Sequence, residues 1–278
     1  MMKKIRLIAI DLDGTLVRSD QTISSHTADI VIRAQQQGVK VAIVSGRPTF
    51  GAEPAARILE LEKYGGYLVS YNGAEIYECT TKHMLHSATL PQDVLPIIYN
   101  TACEHNLALM TYIGKEVITE RTNIDDKYIR YSSMRNKMPI RPVNNFMEEA
   151  TQPIVKCIIT GAPDELASIE VLLNKSLHGL ADAYRSEPFF LEIVPCGINK
   201  AEGISRLLSA TGISPDEVMA FGDGYNDIPM IEYAGFGVAM GNAQDAVKEK
   251  AQHVTLSNDE DGVAKAINKY VLSTSGCS

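Results

Sequence analysis

The sequence has no block of basic residues, no paired cysteine motif and no apolar run long enough to span a membrane. Its 278 residues carry a formal net charge of −8. An acidic chain without a Lys/Arg cluster lacks the electrostatic surface that nucleic acid binding requires, so the composition argues against nucleic acid as the main partner. A pocket within an acidic protein can still be locally positive, so the composition does not exclude small anionic substrates.

The cysteines and histidines show no metal-binding or disulfide spacing. An odd number of scattered cysteines predicts free thiols in a reducing compartment, and we therefore expect a cytoplasmic protein. The apolar stretch near the amino terminus is short and is interrupted by Asp11, so we expect no signal peptide. We see no internal repeat and no low-complexity segment. The five cysteines are Cys79, Cys103, Cys157, Cys196 and Cys277.

Three nearly continuous apolar runs are each followed directly by a polar cluster. Runs of this kind are typical of buried strands in a parallel sheet. Ligands bind at the carboxyl ends of such strands, so three clusters in this position predict one composite site. The runs and their clusters are Ile5–Ile10 with 11–15, Val39–Val44 with 45–47, and Val218–Phe221 with 222–227.

The first cluster places two carboxylates, Asp11 and Asp13, one residue apart and next to Gly14. We expect both to face the same cleft, where two like charges about 4 Å apart repel by roughly 4 kcal/mol at an effective dielectric near 20. Either a positive group offsets this repulsion or one carboxylate holds a proton. Either arrangement favours a catalytic role for these residues. The alternative is that the two residues only cap a strand end and a turn.

The middle of the chain has a different pattern from its two ends. From about residue 81 short strands and helices alternate irregularly, and the segment 137–153 is loop-rich with three prolines. We predict an α/β core domain formed by residues 1–83 and 191–278. Residues 84–190 are predicted to form an inserted α+β domain with an antiparallel sheet.

Four segments of the chain resemble the haloacid dehalogenase superfamily. The resemblance covers the whole chain, and the insertion between the second and third segments resembles the large cap of the Cof-like phosphatase branch. It implies a Rossmann-like parallel-sheet core with helices on both faces and an inserted α+β cap domain. One departure is Ala201, where the family usually has Gly. The segments are Asp-Leu-Asp-Gly-Thr at 11–15, Ser-Gly-Arg at 45–47, Lys200, and Gly-Asp-Gly-Tyr-Asn-Asp at 222–227.

The resemblance implies a Mg²⁺-dependent phosphatase that hydrolyses small phosphorylated metabolites, such as sugar phosphates, through an aspartyl-phosphate. Asp11 would be the nucleophile, since a carboxylate is already ionised at neutral pH. Asp13 would protonate the leaving oxygen and then take a proton from the attacking water. Lys200 would neutralise Asp11 and bind phosphate. Without the resemblance, a lone lysine at this place belongs to a solvated helix face.

The resemblance also implies a metal site and a phosphate site. Asp11, the backbone carbonyl of Asp13 and Asp223 would hold Mg²⁺, with Asp227 orienting the metal waters. The alternative for 222–227 is a polar loop that caps a helix, and for 45–46 an ordinary turn. The phosphate contacts would be the amides of Leu12, Ser45 and Gly46, the hydroxyl of Ser45, and Asn226.

Other residues are weaker candidates. Arg47 is a possible ligand, and Asn72 with Gly73 either lines the substrate side of the core or forms only a turn. His86, Arg185 and Glu187 lie near the domain boundaries, where surface charge is the favoured interpretation. Tyr128 and Tyr131 are predicted to pack on a helix face.

Two other functions stay open. A phosphotransferase or phosphomutase would use the same aspartyl-phosphate but discharge it to an acceptor other than water, and Asp13 favours hydrolysis. A non-enzymatic regulator that binds phosphorylated metabolites would lack one of the charged residues Asp11, Asp13, Lys200 and Asp223. No prediction is made for the oligomeric state.

Overall fold

The computed structural model describes residues 3–273, which fold into two compact units. The core unit takes the residues up to His86 and from Asn199 onward, and the inserted unit is Ser87–Ile198. Four of the five cysteines are free thiols, and Cys277 lies outside the described residues. Within residues 3–273, no helix combines the length and the apolar character that a membrane crossing requires.

The strands of the described residues form two sheets. In chain order they are β1 (Leu7–Asp11), β2 (Lys40–Val44), β3 (Tyr67–Ser70), β4 (Glu75–Glu78), β5 (His83–Ser87), β6 (Ala108–Ile113), β7 (Glu116–Glu120), β8 (Ile140–Val143), β9 (Cys157–Thr160), β10 (Ala181–Glu187), β11 (Phe190–Pro195), β12 (Val218–Gly222), β13 (Phe236–Ala239) and β14 (His253–Val254).

The α-helices lie between these strands. In chain order they are α1 (Ser25–Gln36), α2 (Thr49–Ile58), α3 (Leu61–Tyr64), α4 (Leu95–Glu104), α5 (Lys127–Asn136), α6 (Phe146–Glu149), α7 (Pro163–Ser176), α8 (Lys200–Thr211), α9 (Ile228–Tyr233), α10 (Asp245–Lys250) and α11 (Gly262–Ile267).

The core unit is built on an eight-stranded sheet with the order β14-β13-β12-β1-β2-β3-β4-β5. The strands from β14 to β3 run parallel, and β4 joins β3 antiparallel. All five residues of β1 are buried, because helices cover both faces of the sheet. Ile8 and Ile10 pack on the side of α1, α2 and α11, whereas Leu7 and Ala9 pack on the side of α8 and α9. The predicted α/β core with helices on both faces is confirmed.

The inserted unit has its own six-stranded sheet with the order β10-β11-β9-β6-β7-β8. Its described pairs are antiparallel except for β7 with β8. Helices α4 and α7 contribute Ile98, Leu166 and Leu173 to a separate apolar core with Leu109 and Ile159 of the sheet. This is the α+β architecture that the sequence predicts for the insertion.

The unit boundaries differ from the predicted ones, most clearly at the second crossing. Strand β11 pairs with β9 and β10 in the inserted sheet, so the core unit resumes at Asn199 and not at residue 191. An apolar run of six residues fits a buried strand of either sheet, and periodicity alone cannot assign it. The segment 137–153 is also more ordered than predicted, since it contains β8 and α6.

Candidate active site

The three polar clusters begin at one edge of the core sheet. Asp11 ends β1, Val44 ends β2 and Gly222 ends β12. Strand β1 pairs in parallel with both β2 and β12. The residues that follow each strand therefore emerge side by side, which is the arrangement the sequence predicts.

Lys200 occupies the centre of the site. It is the first residue of α8, and its side chain is completely buried. Its Nζ lies 2.5 Å from Oδ1 of Asp11 and 2.5 Å from Oδ1 of Asp227. A buried ammonium needs such partners because removing it from water is costly. Burial alone lowers the pKa of Lys200, but the attraction of the two carboxylates outweighs it and raises the pKa above its usual value.

Asp11 lies in the same buried cluster. Burial and repulsion from Asp227 raise the pKa of Asp11 well above its usual range, while attraction to Lys200 opposes that rise. The lysine is thus a positive group beside Asp11, which is one of the two arrangements that the sequence predicts. Lys200 makes these contacts although Ala201, which is half-buried in the first turn of α8, stands where the family usually has Gly.

Three carboxylates converge next to this lysine. One oxygen from each of Asp11, Asp223 and Asp227 lies within 4.8 Å of the others. Burial raises the pKa of Asp223 to about 6, although the hydrogen bond from Thr15 opposes the rise. Carboxylate oxygens are the donors that Mg²⁺ prefers, and one lysine cannot neutralise three carboxylates. The donor set therefore fits a divalent cation.

Asp227 is held on all sides by the protein. Its Oδ1 accepts from Lys200, and its Oδ2 accepts the backbone amides of Asp223 and Gly224 at 2.9 Å each. A Cβ on Gly222 would lie 2.3 Å from Cβ of Asp227, so only glycine fits at that position. Asp227 consequently fixes both Lys200 and the loop that carries Asp223.

Asp13 has a cation of its own. Its Oδ2 accepts from Nε of Arg47 at 2.8 Å, and its Oδ1 accepts from Nη2 of the same guanidinium. The Arg47 side chain is 13% exposed, so this residue is part of the site and not a solvated surface group. The repulsion expected between Asp11 and Asp13 is therefore offset at two separate places, by Lys200 and by Arg47.

The structure corrects one part of the predicted phosphate site. The amide of Ser45 donates to the carbonyl of Val69 at 2.9 Å, so it continues the pairing of β2 with β3 and does not point toward a ligand. The Ser45 hydroxyl accepts the amide of Arg47 at 3.1 Å, and the residue is buried. A sequence motif does not reveal whether the last amide of a strand is still engaged in the sheet.

The other predicted phosphate contacts lie around the same edge. Leu12 is buried with its side chain in the apolar core, so only its backbone can face a ligand. Gly46 lies against the side-chain amide of Asn72. Asn226 is exposed, and its Nδ2 donates to Oδ1 of Asn72 at 3.2 Å.

Two site residues had no assigned role in the sequence. Thr15 donates its hydroxyl to Oδ1 of Asp223 at 2.8 Å. Gly14 has a φ of +80°, and a Cβ there would lie 2.5 Å from Oδ2 of Asp223. Both belong to the first motif, so the motif could have identified them as site residues. Their contact with Asp223 depends on the fold.

Several weaker candidates have partners away from this cluster. Arg185 pairs with Glu170, and Glu187 pairs with Arg135, both within the inserted unit. Tyr128 stacks on Phe189 with ring centroids 4.5 Å apart, which agrees with the predicted packing role. Tyr131 contacts Phe189 edge-on and remains 43% exposed, while His86 lies 3.2 Å from Nη1 of Arg206 in the core unit.

Comparison with known families gives a match over most of the chain. The family model described as haloacid dehalogenase-like hydrolase matches residues 8–267. This range contains all four motifs of the site.

Curated relatives and solved structures extend the match. The chain is 32% identical to a putative phosphatase, YxeH, of Bacillus subtilis over 96% of this chain and 98% of that protein. It is 33% identical to the 5-amino-6-(5-phospho-D-ribitylamino)uracil phosphatase YcsE of Bacillus subtilis, over 96% of each chain. A crystal structure of a haloacid dehalogenase-like hydrolase from Bacteroides thetaiotaomicron superposes with a TM-score of 0.92 and 46% identity, covering 96% of this chain and 99% of that one.

Proposed function

This chain belongs to the haloacid dehalogenase-like hydrolases and is a phosphatase of small phosphorylated molecules, and from that premise we propose that it is Mg²⁺-dependent and forms an aspartyl-phosphate on Asp11. The observation that carries the proposal is the buried contact of Lys200 with Asp11 and Asp227 beside Asp223. We further propose sugar phosphates or similar metabolites as substrates. The molecule named for YcsE, 5-amino-6-(5-phospho-D-ribitylamino)uracil, carries its phosphate on a ribityl group.

The metal would be held by Asp11, by Asp223 and by the backbone carbonyl of Asp13. Mg²⁺ supplies positive charge against the carboxylates and against the charge that develops on the phosphoryl group. Both oxygens of Asp227 are already engaged within the protein, which supports a role through water and through Lys200. Thr15 keeps the carboxylate of Asp223 turned toward the cluster.

In the first step a carboxylate oxygen of Asp11 attacks phosphorus while the bond from phosphorus to the leaving alcohol breaks. Asp13, which holds a proton once the substrate phosphate has taken Arg47 from it, gives that proton to the leaving oxygen. Lys200 offsets negative charge on Asp11 and on the phosphoryl group. Arg47 holds the carboxylate of Asp13, and because guanidinium groups also bind phosphate bidentately, substrate competes with Asp13 for this partner.

In the second step water attacks the phosphorus of the aspartyl-phosphate. Asp13 takes a proton from this water, the bond from Asp11 to phosphorus breaks, and inorganic phosphate leaves. A phosphotransferase would transfer the same phosphoryl group to an added acceptor. Measuring phosphate release in the presence and absence of sugar acceptors separates the two reactions.

The metal dependence is tested on a panel of phosphorylated metabolites. We expect turnover with Mg²⁺ and none with excess chelator. Mg²⁺ should also raise the melting temperature, because a ligand that binds only the folded state stabilises it. The variant Asp223→Asn should lose this shift. Equal turnover with and without chelator would contradict the proposed cofactor.

The variant Asp11→Asn tests the nucleophile. An amide cannot form the mixed anhydride, so turnover should fall by more than about 10⁴-fold while the protein stays folded by circular dichroism. The matched control is Asp29→Asn, on the exposed side of α1, which should keep full activity. Mg²⁺-dependent hydrolysis retained in Asp11→Asn would remove Asp11 as the nucleophile.

A further inference from the structure

Three successive residues after β3 have left-handed backbone conformations. Tyr71, Asn72 and Gly73 have φ values of 50°, 55° and 108°. Such a conformation is uncommon for residues other than glycine, and for a bulky residue such as tyrosine it is strained. Strain of this kind persists where the surroundings fix it, and it concentrates at functional sites. This turn therefore has contacts that hold it in place.

The first set of contacts is with the second motif. The amide of Asn72 donates to the carbonyl of Ser45 at 2.9 Å, and the amide of Tyr71 donates to the carbonyl of Arg47 at 3.0 Å. A Cβ on Gly46 would lie 3.2 Å from both Nδ2 and Oδ1 of Asn72. The Asn72 amide group therefore packs directly on the Gly46 backbone, and the turn is tied to the loop that follows β2.

The second set of contacts is with the third and fourth motifs. Oδ1 of Asn72 accepts from Nδ2 of Asn226 at 3.2 Å. A Cβ on Gly73 would lie 2.6 Å from the carbonyl oxygen of Asn199, the residue that caps α8 directly before Lys200. The turn 71–73 thus contacts the loops after β2 and β12 and the start of α8. Asn72 itself joins the first two of these.

We propose that Asn72 is a positioning residue for phosphate binding, acting chiefly through Asn226 and secondarily through the Gly46 backbone. This inference rests on the proposed function together with the sequence prediction that Gly46 and Asn226 contact the phosphoryl group. Oδ1 of Asn72 orients the amide of Asn226, and the planar Asn72 side chain sets the position of Gly46. Asn72 is 7% exposed, so its amide is shielded from competition with bulk water. The simpler alternative is a turn that only connects β3 to β4.

The test uses Asn72→Gly, because glycine adopts the same backbone conformation without strain while the side-chain amide is removed together with Cβ. We expect KM, and the dissociation constant of inorganic phosphate measured by calorimetry with Mg²⁺, to rise by about fivefold, the equivalent of one hydrogen bond. The Mg²⁺ activation constant should change less than about twofold, because the Asn72 contacts that carry the inference are with Ser45, Gly46 and Asn226. Asn72→Ala, which removes the same amide but keeps Cβ, should show the same rise.

A double-mutant cycle with Asn226→Ala separates positioning from a general loss of stability. If Asn72 acts through Asn226, the double variant should bind phosphate no more than about twofold worse than Asn226→Ala alone. Multiplicative effects, or unchanged phosphate binding in both Asn72 variants, would overturn the inference. Glu60→Gly is the matched control, since Glu60 is also left-handed with a φ of 52° but lies outside the site.

Failure of the proposed function gives a different result. In that case the wild-type protein itself neither hydrolyses the panel nor binds inorganic phosphate with Mg²⁺. If the wild-type protein binds phosphate and the Asn72 variants bind it equally well, the phosphatase proposal stands and the role of Asn72 is wrong.

Discussion

Gly14 shows how closely single residues are fitted around the carboxylates. Its φ of +80° favours glycine, and its missing side chain leaves room for Oδ2 of Asp223. Thr15 then reaches the other oxygen of the same carboxylate. Two successive residues of the first motif therefore define the position of Asp223, which lies more than 200 residues away along the chain.

The variant Gly14→Ala should introduce both backbone strain and a clash with the Asp223 carboxylate. The variant Gly38→Ala introduces only the backbone strain. Gly38 has a φ of +86° but no atoms within 4 Å of the added Cβ, so it reports backbone strain alone. Both variants should lose about 1 kcal/mol or more of stability in urea denaturation. Only Gly14→Ala should also lose activity, by about 100-fold, because the Asp223 carboxylate must move by about 1 Å. Full activity in Gly14→Ala would show that the site tolerates this displacement.

Helix α8 is the element that delivers Lys200 to the site. Asn199 caps it by accepting the amide of Glu202, and the first residue after the cap is the buried lysine. Gly203, one turn on, packs against the turn after β3: a Cβ there would lie 2.6 Å from Cα of Gly73 and 2.8 Å from Cγ1 of Val69. The position of Lys200 therefore depends on two glycines that let α8 approach the sheet.

The variant Gly203→Ala tests this close approach. Alanine inside a helix ordinarily stabilises by about 0.5–1 kcal/mol relative to glycine, so propensity alone predicts a gain. Contact with the Gly73 backbone predicts the opposite: lower stability and reduced kcat, because α8 and Lys200 shift together. Thermal melting and turnover measure both effects. Ser209→Ala, on the exposed side of the same helix, is the control and should leave kcat unchanged.

At the scale of the molecule, the core unit is assembled from two stretches of chain separated by the insertion. Strand β1 lies between β2 and β12, so neither stretch forms the sheet alone. Asp261 adds a polar link between the stretches, since it accepts from Nη2 of Arg18 at 2.8 Å, from Oγ of Ser24 at 2.5 Å and from Oγ1 of Thr27 at 3.1 Å. Burial alone raises the pKa of Asp261, but these donors outweigh burial and lower it.

The lowered pKa of Asp261 predicts a pH dependence of stability. A carboxylate with a lowered folded pKa stabilises fully above its unfolded value, about 3.9, and this contribution is lost as pH falls through the folded value. Asp261→Asn keeps the left-handed backbone, which asparagine tolerates. It should lose about 1–2 kcal/mol at pH 7, and the difference from wild type should shrink below about pH 4. Urea denaturation from pH 7 to 3 measures this, with Asp29→Asn as the control. A difference independent of pH would exclude the ionised carboxylate as its source.

Much of the architecture follows from local patterns. Continuous apolar runs predicted the buried parallel strands around β1, and the four motifs predicted the family and the phosphatase activity. The predicted boundary at 191 was wrong because β11 is as apolar as a strand of the core sheet. Its partners are β9 and β10, so it belongs to the sheet of the inserted unit. Strands β4 and β5 were not predicted either, since they are half-buried or exposed at the sheet edge and carry no continuous apolar run.

The sequence by itself determined the residue types of the site and their placement directly after buried strands, because strand period and turn chemistry are local properties. Only the tertiary structure decided that Arg47 pairs with Asp13, that Asp227 shares Lys200 with Asp11, and that the Ser45 amide stays in the sheet. These partners depend on strand register and on packing between segments far apart in the chain. Such contacts form only when the whole core unit folds, and no local pattern encodes them.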